Sequence, residues 1–246
     1  MSLITLEPSA ARAYWRALLD NATSLVADAH LLFDNRSFGR ARALTVLAEE
    51  ELAKALSVYE LFNDAWSVGG VDAREWQTLG ARDHLAKYRA AFEFGRELES
   101  FWGEYPALDD HPDDDNWEQW AADRRALADD AARRANESKK RGFYVDLVGS
   151  EVLTPDAMDP EGVGVDLNRA AQVIEMMLIG DHTRMQDGPP ERYDSTHDLQ
   201  WRVMPTSHPE EFADFVARVG AERSALRRLE DLPSGVKPSE GSTDRA

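Results

Sequence analysis

The 246-residue chain contains no cysteine, which excludes disulfide bonds, thiolate metal sites and cysteine nucleophiles. It also lacks a long hydrophobic run. Charged residues such as Glu7, Arg12 and Arg16 interrupt the N-terminal segment, and no later segment reaches the roughly 18 apolar residues of a membrane span. We therefore expect a cytoplasmic protein with no secretory signal and no membrane partner.

Cationic side chains are also scarce, since 28 Lys and Arg oppose 46 Asp and Glu and leave a net charge of −18. This charge repels polyanions at long range and disfavours non-specific binding to nucleic acid or to anionic membranes. The hydrophobic content of 43% is still sufficient for a folded core. The length fits one large domain, or one domain with an appendage.

Motifs of several enzyme classes are absent as well. The chain has no Gly-x-Ser-x-Gly nucleophile turn and no glycine-rich phosphate loop. It has no Glu-x-x-His pair of the kind that holds two metal ions in helical bundles, so we expect no metal site and no cofactor. Arginine followed by histidine occurs at Arg192 to His197 and at Arg202 to His208, about as often as chance predicts for this composition.

What the chain does have is helical periodicity. Apolar residues recur at spacings of three and four over six stretches, which predicts helices at about 8–33, 37–66, 73–103, 116–140, 165–186 and 209–229. The interruption at 34–37 is short, so the first two helices should form an antiparallel hairpin, with Ser37 as the cap of the second. We expect Gly80 to separate a short first piece from the third helix.

The remaining segments are predicted to be non-helical. Residues 105–115 read as a loop, 143–148 as an extended segment, and 187–207 as irregular. The resulting fold class is all-α, with an antiparallel bundle of four long helices in residues 1–155. A C-terminal helical extension at 156–232 should pack on the bundle, and 233–246 should be a disordered tail.

Three consecutive acids, Glu49 to Glu51, lie inside the apolar period of the second predicted helix. One carboxylate should therefore be at least partly buried and need a partner. His84 and Lys87 on the third helix are candidate partners, and Lys54 can pair locally with Glu50 or Glu51. Two interpretations remain open: a polar functional site between the helices, or a structural network that fixes their register.

Three ordered stretches resemble AbiV-type abortive infection proteins, which belong to the helical HEPN superfamily. The first is Ser37-Phe38 through Ala41-x-Ala43-Leu44-x-Val46-Leu47-Ala48-x-Glu50-Glu51-Leu52-Ala53-Lys54-Ala55. The second is Asp83-His84-x-x-Lys87, and the third is Lys139-Lys140-Arg141-Gly142-Phe143-Tyr144-Val145-Asp146. The resemblance covers about residues 10–155 and implies an HEPN-like bundle.

The resemblance further implies a phage-resistance effector that suppresses translation or RNA function on infection. Expected partners are RNA or a translation component, a phage-encoded activator protein, and a second copy in a homodimer. Many HEPN relatives cleave RNA without metal through an arginine-to-histidine motif on the fourth helix. Here no histidine follows Arg133 or Arg134 at that spacing, so ribonuclease chemistry would need other residues.

The candidate residues for such chemistry come from the three matching stretches. His84 is the candidate acid–base group, with Glu50 or Glu51 setting its tautomer. Lys54 and Lys87 are candidates for contact with phosphate. The third stretch supplies further candidate binding residues: Lys139, Arg141, Tyr144 and Asp146. The alternative is a non-catalytic helical interaction module whose Glu, Lys and His side chains form a structural network.

Overall fold

The computed structural model describes residues 3–77, 84–102, 117–188 and 194–230. In these ranges the chain is mainly α-helical, which confirms the predicted fold class. The helices are α1 (Pro8–Asp34), α2 (Phe38–Val68), α3 (His84–Trp102), α4 (Trp117–Phe143), α5 (Pro160–Asp187), α6 (Gln200–Ser207) and α7 (Pro209–Glu230). The strands are β1 (Leu3–Leu6), β2 (Arg74–Gln77), β3 (Asp146–Val148) and β4 (Glu151–Leu153).

Helix α2 is the central element, since it contacts α1, α3, α4 and α5. The predicted hairpin of α1 and α2 is present, and its turn places Arg36 at a φ of 61°. Ser37 occupies the N-cap position of α2, but its side chain makes no capping hydrogen bond and instead accepts one from Arg40. The tight turn, rather than a side-chain cap, therefore defines this helix start.

Two groups of buried apolar side chains lie on different faces of α2. The larger group joins α1, α2 and α5 and includes Trp15, Leu52, Phe62 and Ile174. The smaller group joins α2 to α3 and α4 through Val46, Tyr88, Ala131, Ala132 and Ala135. Because α5 supplies part of the larger group, the core includes residues on both sides of the predicted domain boundary at residue 155.

The chain divides into two compact units, residues 1–207 and 208–246. Helices α1 to α6 belong to the first unit, and α7 forms the described part of the second. The predicted last helix, 209–229, agrees with α7. The structure thus groups most of the predicted extension with the bundle.

The structure corrects the sequence-based elements in four places. Residues 74–77 form strand β2, although a helix was predicted from residue 73, because they pair antiparallel with β1. Helix α5 begins at Pro160 rather than 165, since the Asp159 side chain accepts hydrogen bonds from the Glu161 and Gly162 amides. Residues 200–207 are helix α6 rather than irregular. Helix α4 continues through Gly142 to Phe143.

Other expectations fall outside the described residues, namely the loop at 105–115, the break at Gly80 and the tail at 233–246. Within the described residues, no helix combines the length and the hydropathy needed to cross a membrane.

Close backbone contact explains the glycine near the end of α4. A Cβ atom at Gly142 would overlap the carbonyl of Gly39 on α2 and lie 2.9 Å from Cβ of Ala43. Contact this close between helices requires a residue without a side chain. Gly142 therefore sets the distance between α2 and α4, and with it the position of the last turn of α4.

Replacement of Gly142 by alanine should destabilise the protein by about 1–3 kcal/mol, because the backbones must separate to admit the methyl group. Gly180→Ala on α5 is the matched control, since its new Cβ would meet only the Tyr59 hydroxyl at 3.9 Å. The control should leave stability unchanged or raise it by up to about 1 kcal/mol. Urea unfolding of both variants measures the difference, and equal effects would contradict the packing account.

Candidate functional site

Side chains from three helices meet at Glu50. His84 Nδ1 at the start of α3 lies 2.8 Å from Oε2 of Glu50, and Lys139 Nζ on α4 donates to Oε1 of the same carboxylate. Lys139 Nζ also lies 3.3 Å from His84 Nδ1. Of the two acids proposed to pair with His84, Glu50 rather than Glu51 makes the contact. A further candidate residue, Lys139, shares this carboxylate with His84.

The three side chains differ in their access to solvent. The Glu50 side chain is 7% exposed, that of Lys139 14%, and that of His84 43%. The carboxylate is thus enclosed while the imidazole reaches the surface. The cluster is neither a closed core nor a fully solvated set of charges, because His84 connects the buried carboxylate of Glu50 to solvent.

The shorter of two contacts at His84 Nδ1 favours a hydrogen on this ring nitrogen, since Glu50 lies at 2.8 Å and Lys139 at 3.3 Å. An ionised carboxylate only accepts, so in this tautomer Nδ1 donates to Glu50. In the neutral ring the lone pair then resides on Nε2, which is the nitrogen left for a ligand. The lysine donates to the same carboxylate and adds positive charge beside the ring. This arrangement can exchange a proton at Nε2 and stabilise a nearby anion.

Helical periodicity explains how consecutive acids reach different partners. Glu49 and Glu50 are both buried, whereas the Glu51 side chain is 22% exposed and pairs with Lys54 at 2.7 Å. Each step along a helix rotates the side chain by about 100°. Glu50 follows buried Val46 by four residues and so shares its side of α2, towards α3 and α4.

A second polar network lies beside the first, and the sequence analysis missed it. Buried Arg42 lies 3.4 Å from Oε2 of Glu49, donates to the Tyr88 hydroxyl at 3.3 Å and pairs with Asp166 at 3.1 Å. These residues connect α2, α3 and α5. Arg42 and Glu49 are seven residues apart, two helical turns, which is the sequence signal that could have revealed them.

This second network holds α3 in place close to the first. Tyr88 follows His84 by one helical turn, and its hydroxyl accepts from Arg42. Burial raises the pKa of Tyr88 above its usual value, so the hydroxyl remains protonated. Burial also raises the pKa of Glu49 to about 7, against the opposing effect of Arg42.

The other predicted site residues lie at several places on the first unit. Glu51 and Lys54 form their own ion pair, and burial together with the Glu51 carboxylate raises the pKa of Tyr14 on α1. Lys87 is buried on α3. The remaining candidates are exposed at or beyond the end of α4: Arg141, Tyr144 and Asp146. Their roles in binding stay predictions.

A third polar cluster joins α1 to the C-terminal part of the first unit. Arg12 donates two hydrogen bonds of 2.7 Å to fully buried Asp181, which also accepts from Arg184 at 2.9 Å. His197 Nε2 lies 3.3 Å from the same carboxylate. Hydrogen bonds from Thr196 and the charges of Arg12 and Arg16 outweigh burial and lower the pKa of Asp194, which pairs with both arginines.

Of the two chance arginine-to-histidine spacings, only Arg202 to His208 lies wholly within the described residues. Arg192 lies outside them. Arg202 donates to Asp20 at 2.7 Å, and His208 lies 3.6 Å from Glu211. Among the described residues, no group of three or more His, Asp or Glu side chains is arranged to hold a metal ion.

Comparison with known proteins identifies one family. A family model described as AbiV, of the HEPN group, matches residues 10–175, more than half of the chain. The match contains the whole Glu50–His84–Lys139 cluster and ends before Asp181. Comparison with curated proteins and with solved structures gave no match.

The pKa of Glu49 implies a pH-dependent stability. Because the pKa of Glu49 in the folded state is about 7, above its ordinary value of 4.5, the folded state binds the extra proton between these pH values. Stability from this group is therefore greatest at low pH and lost as pH rises towards 7. The melting temperature of the wild type should fall as the pH is raised from 5 to 8. The melting temperature of Glu49→Gln should fall less over the same range.

Glu51→Gln is the matched control for this measurement, since it removes an acid of the same helix that is partly exposed and paired with Lys54. Its pH dependence should follow the wild type. Equal slopes for wild type and Glu49→Gln would contradict the assignment of the raised pKa to Glu49.

Proposed function

Because the chain belongs to the AbiV family of HEPN-type abortive infection proteins, we propose that it suppresses translation or RNA function during phage infection through the Glu50–His84–Lys139 cluster. Membership of the family supports a role in phage defence in general. The observation that carries the finer proposal is the shared carboxylate: a buried acid holds a half-exposed imidazole and a lysine together. The proposal places the protein in the cytoplasm, where translation occurs.

RNA cleavage without metal is the version of this activity that the cluster supports best. His84 Nε2 would take the proton of a ribose 2′-hydroxyl, whose oxygen attacks the adjacent phosphorus and displaces the 5′-oxygen. The displaced oxygen then takes up a proton. Lys139 would stabilise the negative charge on the phosphate, and Glu50 would stabilise the protonated ring.

Local charge favours an RNA partner at this position despite the net charge of −18. Lys140 and Arg141 are exposed on the last turn of α4, directly after Lys139. The long-range repulsion of the acidic chain would oppose non-specific binding of RNA. We therefore propose a selective target, such as an RNA of the translation apparatus, and activation by a phage-encoded protein.

His84→Ala should abolish phage protection and lower any RNA cleavage by a factor of about 100 or more, because no other group would exchange the proton. His182→Ala, an exposed histidine on α5, is the control and should retain both. Plaque formation and the integrity of total RNA during infection measure the two effects. Intact RNA in infected cells that carry protective wild-type protein would exclude the nuclease version.

The alternative, a structural network in an interaction module, is tested with two adjacent lysines. Lys139→Ala leaves buried Glu50 without its ammonium partner and should cost about 1–3 kcal/mol, whereas exposed Lys140→Ala should cost little. If the network is only structural, Lys139→Ala should protect against phage when infection is carried out at a lower temperature, at which the variant is folded. Loss of protection at a temperature where the variant is fully folded supports a functional lysine.

A further inference from the structure

A cavity of about 410 Å³ lies between the first half of α1 and the segment that leads into α6. A volume of this size accommodates a small organic molecule. The lining residues on α1 are Ala13, Arg16, Ala17 and Asp20, and those of the second segment are Ser195, Thr196 and Leu199. None of them belongs to the Glu50–His84–Lys139 cluster, so the cavity is a separate candidate site.

The wall formed by residues 194–196 is held in place by the protein itself. The Asp194 side chain accepts hydrogen bonds from the Thr196 amide at 3.0 Å and from the Thr196 hydroxyl at 2.5 Å. It also pairs with Nε of Arg16 at 3.2 Å. Ser195 has a φ of 61°, a strained angle for a residue other than glycine, and such strain is concentrated at functional sites.

Two of the lining side chains are charged, and each keeps one polar atom for a ligand. Arg16 uses Nε and Nη2 to bind Asp194, and Asp20 accepts from Arg202 through Oδ1 at 2.7 Å. Within the described ranges, no hydrogen bond engages Nη1 of Arg16 or Oδ2 of Asp20. Because the two residues are four apart on α1, a cation and an anion border the cavity one helical turn apart.

The remaining lining restricts the chemical class of the ligand. Ala13, Ala17 and Leu199 offer an apolar surface that hydrocarbon can cover. Asp20 would repel one end of a dicarboxylate, and Arg16 would repel one end of a diamine. A molecule with a carboxylate at one end, an ammonium group at the other and methylene groups between them satisfies both charges and the apolar surface.

We infer that this cavity binds lysine as an ω-amino carboxylate, with the carboxylate at Arg16 and the side-chain ammonium group at Asp20. Free lysine and the C-terminal lysine of a peptide both carry these two groups. The binding site does not depend on the proposed activity at His84, and the residues that line it differ from those of the proposed active site.

Calorimetric titration of the full chain with three compounds tests the need for both charges. The compounds are 6-aminohexanoate, hexanoate, which lacks the ammonium group, and hexylamine, which lacks the carboxylate. Loss of one charged hydrogen bond should weaken binding about tenfold or more, so 6-aminohexanoate should bind most tightly. Equal affinities for the three compounds, or a Kd above about 10 mM for 6-aminohexanoate, would overturn the inference.

Two substitutions on α1 test the position of the site. Asp20→Asn should weaken binding of 6-aminohexanoate about tenfold or more, because the ammonium group loses its charged acceptor. Asp28→Asn is the matched control, since this exposed acid lies about two helical turns further along α1 and should leave binding unchanged. Equal effects of the two substitutions would contradict the assignment.

Ala17→Leu fills the cavity from an exposed position on α1 and should abolish binding. Its melting temperature should match the wild type, since leucine is a good helix former, and this excludes misfolding. Binding of 6-aminohexanoate by Ala17→Leu with wild-type affinity would overturn the inference.

The source of the ligand is distinguished with L-lysine and N-acetylglycyl-L-lysine. Binding of both compounds supports recognition of a peptide's C-terminal lysine. Binding of L-lysine alone supports the free amino acid, whose α-ammonium group the acylated compound lacks. Binding of neither would overturn the inference.

Discussion

The need to satisfy buried charges in the middle of α2 shapes much of this structure. Glu49 and Glu50 are both enclosed, and a buried carboxylate is costly unless cations or donors surround it. Their partners are Arg42 on α2 itself for Glu49, and His84 on α3 with Lys139 on α4 for Glu50. Arg42 in turn binds Tyr88 on α3 and Asp166 on α5. Few alternative helix arrangements would satisfy both acids, so these pairs specify how α3, α4 and α5 meet α2.

The two networks differ in a way that bears on function. The network of Arg42 and Glu49 is enclosed, and its role is to hold α2, α3 and α5 in register. The cluster at Glu50 borders solvent through His84. An enclosed network that fixes the helix carrying His84 also restricts the orientation of this half-exposed side chain. The same contacts therefore stabilise the bundle and position the candidate site.

Sequence periodicity predicted helices α1, α2, α4 and α5 well, because each of them buries small or apolar residues on one face. A contact between one acid of the triplet and His84 or Lys87 was also predictable, since an acid within an apolar period needs a partner on the next helix. The sequence did not decide which acid, because Glu50 and Glu51 are equally plausible by spacing. Strand β2 was not predictable, because Trp76 and its neighbours are kept extended by pairing with β1, more than 60 residues away in the chain. The buried ion pair of Asp181 was not predictable from its neighbours in the sequence, because its partner Arg12 lies 169 positions earlier in the chain.

The contact between Arg12 and Asp181 has a consequence for the order of events during synthesis. The two residues are 169 positions apart, and the arginine also lies 4.6 Å from the centre of the Trp15 ring. Helix α1 emerges from the ribosome early, but it cannot complete its packing until α5 follows. Contacts this distant in sequence form late because the intervening chain must first be ordered. The bundle thus matures only when most of the first unit has been translated, and a nascent chain carries α1 with its arginine still unpartnered.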